Sequence, residues 1–379
     1  MKSIDSVLFS LSLIMGLSFV CPVQAELKPE VKIHGELEYE YSDSTAKDME
    51  SQFQVDKFVI QPKVKYGDYL KLSAQWYCRP KGNAYLNEFH AKFLGLPLGT
   101  WFDAGLYERA IKDHHSRKTE TYSLYGNAFY RDDTYGISWG NWKKKHKAPE
   151  FYWIVSLAEG YKIGHKQPAE QTSEYDGTNS DKIIQDDRDD KNNLFYPEVG
   201  LNLGTNLKFG ETKIDVMGFY YTDKLKSSER SKLEEYLSDA QKSKMKEGND
   251  RNRVGGQVNA KIRNCRLFAG FLTADDSGLS RTAYVFEALN KIKLGDRETF
   301  KSITPVVSYS AYTVEGTPEF TAAESWDRSH IIVAGILEVI KKTKLKVEYV
   351  INNEETGGTG TNPSSIDNDE FLVQVEVKF

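Results

Sequence analysis

Past Ala25 the chain has no apolar run approaching the ~20 residues that a membrane-spanning helix needs, and its mean hydropathy is negative. Cysteine is scarce. Of three cysteines, Cys21 falls in the amino-terminal apolar segment, leaving Cys78 and Cys265 at the edges of two predicted strands. That number excludes a dense disulfide scaffold, and the spacing matches no metal-binding cysteine pattern. The two thiols read as small apolar fillers, with an oxidised pair as the alternative in an exported protein. There is no excess of positive charge either. The formal net charge is -5, with Lys2 cancelling Asp5, and no basic domain stands out, which argues against nucleic acid as a partner. No nucleophile motif, cofactor fingerprint or solenoid repeat is present, so the sequence reads as a non-enzyme with no cofactor and no resident metal.

Aromatics, by contrast, are abundant: 22 tyrosines, 19 phenylalanines and 6 tryptophans. The amino-terminus, Met1-Lys2, leads into an apolar stretch from Val7 to Val20 and then Cys21-Pro-Val-Gln-Ala25. This is the pattern of a secretory signal peptide over 1–25, cleaved after Ala25. A lipoprotein reading of Cys21 is disfavoured, because Val20 stands where lipoprotein processing wants a small residue.

The exported part alternates. In Phe371–Phe379, Phe371, Val373, Val375, Val377 and Phe379 share one parity, and Gln374, Glu376 and Lys378 the other. Side chains alternate across a strand, so the segment has one apolar and one mostly polar face. Val31–Tyr41 repeats the pattern, with Val31, Ile33, Leu37, Tyr39 and Tyr41 against Lys32, His34, Glu36, Glu38 and Glu40. So many charges on one face exclude a dry sandwich core. Sixteen such segments can be drawn along the chain, or eighteen if a hairpin is missed. The connections sort by length. Gly67-Asp68, Leu94–Thr100, Lys143–Pro149, Phe209-Gly210, Asn264, Gly295–Lys301 and Ile340–Lys342 are short. Between them fall Ser42–Ser51, Glu108–Asp133, Gly160–Leu194, Asp223–Asn252, Val314–Arg328 and Asn353–Asp367, with Arg79–Asn83 and Ala274–Arg281 as shorter members. Short periplasmic turns alternating with long external loops mark outer-membrane barrels. The expectation is an all-β transmembrane antiparallel β-barrel over 26–379. Low hydropathy is no objection, because only alternate residues face lipid. Trp76, Trp101, Trp139, Trp142, Trp153 and Tyr220 are candidates for interfacial belts.

Several segments resemble the phosphate-selective porin O/P family of outer-membrane channels: Ala84-Tyr-Leu-Asn-Glu-Phe89 leading through Trp101–Tyr107, Arg131-Asp-Asp-Thr-Tyr-Gly-Ile137, Ala283-Tyr-Val-Phe286, Thr304-Pro-Val-Val-Ser-Tyr309 and Val373–Phe379. The chain has Glu108-Arg109-Ala110 where the family has Lys-x-Pro. The resemblance implies a channel in the outer membrane of a Gram-negative bacterium, surrounded by lipid and lipopolysaccharide. It implies a third loop, near 108–133, that folds inward, and it admits a homotrimer.

A barrel this wide cannot fill its interior with wall side chains alone, so water enters and small hydrophilic solutes diffuse through. The constriction candidates are Arg109, Lys112, Asp113, His114, His115, Arg117, Lys118 and Arg131. Guanidinium and ammonium groups there would favour anions weakly if they face inward. Adjacent histidines such as His114-His115 rarely converge on one metal ion. The pore-lining candidates are Lys71, Gln75, Glu88, His90, Lys92, Gln257, Lys261, Arg263, Lys346, Glu348 and Lys378. Their bland alternative is lateral pairing that only holds the wall together. Ser228–Lys244, with Leu233, Tyr236 and Leu237 at helical spacing, suggests a short external helix. The acidic run Asp186–Asp190 suggests a solvated loop, with divalent-ion bridging to lipopolysaccharide as its other use. A different class of reading makes the barrel a non-conducting sheath or anchor for a partner protein; a third makes the chain a soluble extracytoplasmic β-sandwich.

Overall fold

A computed structural model describes residues 29–44, 51–78, 84–111, 119, 121, 123–128, 134–141, 151–159, 161–166, 183–191, 197–225, 227, 230–231, 248–295, 299–315, 326–356, 364–366 and 369–379. The signal segment, Lys112, Asp113, His114, His115, Arg117, Lys118, Arg131, Trp142 and most of Ser228–Lys244 lie outside the described residues.

Sixteen long strands form a closed antiparallel β-barrel. They are β1 Pro29–Ser44, β2 Gln52–Tyr66, β3 Leu70–Cys78, β4 Ala84–Leu96, β5 Thr100–Tyr107, β6 Thr134–Gly140, β7 Phe151–Ala158 and β8 Glu198–Phe209. Then come β9 Thr212–Lys224, β10 Asp250–Ile262, β11 Cys265–Asp276, β12 Leu279–Asn290, β13 Ser302–Glu315, β14 Trp326–Ile340, β15 Thr343–Thr356 and β16 Glu370–Lys378. Each strand pairs with its sequence neighbours, and β1 pairs with β16 from Glu36↔Lys378 to Ser44↔Glu370. Closure leaves no edge, which in hydrocarbon would strand backbone amides without partners. At the seam, Gly35 and Phe379 exchange both backbone hydrogen bonds, at 3.1 and 3.0 Å. A Cβ on Gly35 would come within 2.0 Å of the Phe379 ring, so a larger residue there requires that ring to turn away.

The barrel is inside out. In β13, Ser302, Thr304, Ser308 and Ser310 are buried while Ile303, Val307 and Tyr309 are exposed. In β8 Glu198 and Asn202 point inward and Val199, Leu201 and Leu203 outward. Such an apolar outer belt would cost ~25 cal/mol for each Å² held in water; acyl chains remove that cost. No helix among the described residues is long and apolar enough to cross a membrane, which says nothing about a barrel.

Two departures from the sequence reading concern connections. Ala274–Arg281 collapses to a two-residue hairpin at Ser277-Gly278, with φ of 54° and 106°. The second value is a conformation that glycine adopts without strain. The acidic run Asp186–Asp190 lies in a strand, because Tyr161–Lys166 and Ile183–Lys191 pair as a separate hairpin. Cys78 and Cys265 are both free thiols, one closing β3 at the long-connection rim and the other opening β11 at the short-turn rim.

Candidate functional site: the lumen and the third connection

Register places the inward residues in rows. Nearest the short turns, Lys65 lies opposite Lys71, Lys71 opposite Lys92 and Lys92 opposite Asp103. The next row holds Lys63, Ser73 and His90, and the one above it Gln75 opposite Glu88. Asp103 is buried between two nitrogen partners, with His90 Nδ1 at 2.5 Å and Lys92 Nζ at 3.2 Å. Lys92 also sits 3.5 Å above the Trp101 ring, a cation–π contact. Glu88 accepts from the neutral donors Gln61 (2.9 Å) and Ser73 (3.4 Å). In the turn below, Lys65 donates to Asp68 at 2.7 Å and holds its carboxyl below the ordinary carboxylate value. These strands, with β6, β7 and the start of the third connection, enclose a cavity of about 750 Å³.

The third connection touches the far wall. The Thr121 N–H donates to Glu348 at 2.8 Å, and the Leu124 N–H donates to Ser310 at 3.0 Å. Gln257 donates to the Tyr125 hydroxyl at 3.2 Å, and Tyr125–Ala128 forms one helical turn against β11, β12 and β13. Ile111, Leu124 and Tyr125 join one buried apolar cluster with inward side chains that include Tyr152, Phe219, Phe268, Leu272 and Tyr312. Burying that much aromatic and aliphatic surface is what fixes the segment.

Charges on the inner wall are largely cross-paired. Arg109 is only 3% exposed, and its fork grips Glu198 at 2.7 and 2.8 Å. Bidentate geometry of this kind neutralises the guanidinium rather than presenting it to a pore. Asp276, wholly buried, takes Arg251 at 3.0 Å, Arg253 at 2.9 Å and Arg281 at 2.7 Å. At the seam Glu36, Glu38 and Glu376 converge, but Lys57 meets Glu38 at 2.7 Å, Lys346 meets Glu376 at 3.0 Å and Lys378 meets Glu36 at 2.8 Å. Ammonium groups occupy the places a cation would take.

The candidate residues therefore separate. Lys71, Gln75, Glu88, His90 and Lys92 share the charged wall. Gln257 and Glu348 hold the third connection, while Lys346 belongs to the seam, also donating to Gln374 at 2.6 Å. Lys261 is exposed near the short-turn rim. Arg263 is a correction: with φ of 53° it occupies the turn after β10, 82% exposed and 3.3 Å from Glu211. Strand periodicity, extended one residue too far, had put it on the wall. The Asp276 cluster and the Arg109–Glu198 pair escaped the sequence reading because their partners lie on different strands. The parity that places Glu36 and Glu38 inward was visible, but not their lysine partners.

No family model and no curated protein matches the chain. Its likenesses are to solved structures. The outer-membrane channel DcaP of Acinetobacter baumannii is 10% identical, with a TM-score of 0.59 over 95% of this chain and 100% of that one. OmpT of Vibrio cholerae, an outer-membrane protein seen in a trimer form, is 12% identical with a TM-score of 0.56, covering 93% and 99%. OprB of Pseudomonas putida is 8% identical, with a TM-score of 0.56 over 93% and 94%. At these identities the likeness is one of fold. The chain has the closed sixteen-strand fold that these outer-membrane barrels share.

Proposed function

We propose that the barrel is a porin, letting small hydrophilic solutes and ions diffuse passively across the outer membrane. The third connection narrows the lumen and sets the size limit. The observation that carries this reading is the docking of Thr121, Leu124 and Tyr125 across the interior while a solvent-sized cavity stays open on the opposite wall. The excess of lysine over carboxylate in the rows near the short turns supports a weak preference for anions. In this reading the short turns face the periplasm and the resemblance to phosphate-selective porins extends to the channel, not to phosphate in particular. Assembly as a homotrimer belongs to the same proposal, and light scattering of the detergent-solubilised protein tests it.

Planar-bilayer recording of the purified protein tests the central claim. Stepwise, ohmic current in potassium chloride is the expected outcome, with a reversal potential displaced toward anions in a salt gradient. A protein that inserts and stays electrically silent refutes the pore.

A further inference from the structure

Resting on the outer-membrane reading but not on conduction, we propose that the turns after β12 and β14 bind anionic phospholipid headgroups of the adjoining leaflet. Backbone hydrogen bonds hold the two turns side by side. The Phe300 N–H donates to Val339 at 2.6 Å and the Lys301 N–H to Glu338 at 2.8 Å. The connection after β14 is two residues long, with Ile340 opposite Thr343, and both Lys341 and Lys342 are exposed. Lys342 takes a φ of 70°, where glycine is favoured, so a lysine stands there at some local cost. Lys301 shares the outward parity of Ile303, while Lys293, opposite Ser302, takes the lumen-facing one. Neighbouring charges already have partners. Lys291 meets Glu338 at 2.9 Å, Lys344 and Lys378 meet Glu376, and the Gly35 N–H holds the Phe379 backbone oxygen. Among the described residues Lys301, Lys341 and Lys342 enter no ion pair. Asp296, Arg297 and Glu298, outside the described residues, add one net negative charge to set against these three lysines. The far ends of β13–β15 carry Glu315, Asp327, Glu354 and Glu355 against Arg328, so charge is sorted along the strands.

The second support is the apolar surface at the same level. Leu294, Phe300, Ile303 and Ile340 are all exposed there, at 39–47%. Free phosphate or an acidic soluble partner would use only the lysines. A phospholipid uses both, with acyl chains on these side chains and its phosphate among the ammonium groups just beyond them. Lysine stems lie along apolar surface and carry their charge to headgroup level. Near an anionic membrane surface each such cation strengthens attraction about fivefold.

Native mass spectrometry of the full detergent-folded protein, offered phosphatidylglycerol and phosphatidylcholine with matched acyl chains, tests the site. Phosphatidylglycerol should be retained about twentyfold better, and Lys341→Gln with Lys342→Gln should cut that ratio about tenfold. Lys208→Gln with Arg263→Gln, which removes equal charge from the same rim at β8 and β10, should leave the ratio in place. Should the tight-turn variant fail to fold, Lys301→Gln gives the same reading as a fall of about fivefold. Equal retention of the two lipids, an unchanged ratio in the lysine variants, or displacement of the lipid by excess inorganic phosphate overturns the proposal. A barrel that conducts nothing yet prefers phosphatidylglycerol upholds the site and refutes the pore alone. A protein that stays soluble without detergent overturns the membrane reading and this site with it.

Discussion

The lumen has two unlike walls. From β2 to β5 the inward side chains are charged, interlocked in rows and open to the cavity. On β9, β11, β12 and β13 an apolar cluster including Phe219, Tyr221, Phe268, Leu272 and Tyr312 sits among charges already paired within the wall, such as Asp276 with its arginines, and the third connection lies on that cluster. Both walls come from strands with the same alternation, so period alone says only which face is inward. Whether that face is wet depends on what is laid over it. The third connection leaves the barrel next to the charged wall, at Tyr107, and its apolar residues find matching surface on the far side.

This contrast can be broken by substitutions of comparable chemistry on the two walls. The largest effect belongs to Asp276→Ala, which would leave Arg251, Arg253 and Arg281 buried without their shared carboxylate. A loss of up to about 5 kcal/mol is expected, read as a lower urea midpoint for the detergent-folded barrel. Tyr125→Ala should weaken docking of the third connection by about 4 kcal/mol and raise single-channel conductance; unchanged conductance would detach the segment from the size limit. Arg109→Ala strands Glu198 in a buried setting and should cost about 3 kcal/mol, whereas the double substitution Arg109→Met with Glu198→Gln removes a pair of zero net charge and should hardly move the reversal potential. The smallest effect is Lys71→Gln. On the open wall it should change stability by no more than about 0.5 kcal/mol, with relief of lysine repulsion favouring the fold, yet shift the reversal potential toward cations. If Lys71→Gln destabilised as much as Asp276→Ala, the division into wet and dry walls would be wrong.

How much could be read beforehand differs by level. The alternation of Val31–Tyr41 and Phe371–Phe379 marked the very strands that meet at the seam, because a two-residue period is a local property. Arg109 was singled out as a pore cation on its loop position alone. Its neutralisation by Glu198, 89 residues away, has no local signature. Arg263 went astray for the opposite reason, since a strand's last residue and its turn's first differ by one backbone dihedral.

The chain's own order of residues was enough to set an all-β barrel of about sixteen strands, the face most side chains take and the sorting of most connections by length. Those follow from steric and hydrogen-bonding rules that act over a few neighbours. Closure decided the rest: which inward charges cancel, which wall stays dry and where a cavity survives. Coulomb and packing energies depend on distance in space, and only the finished barrel brings residues from remote strands within a few ångströms of one another.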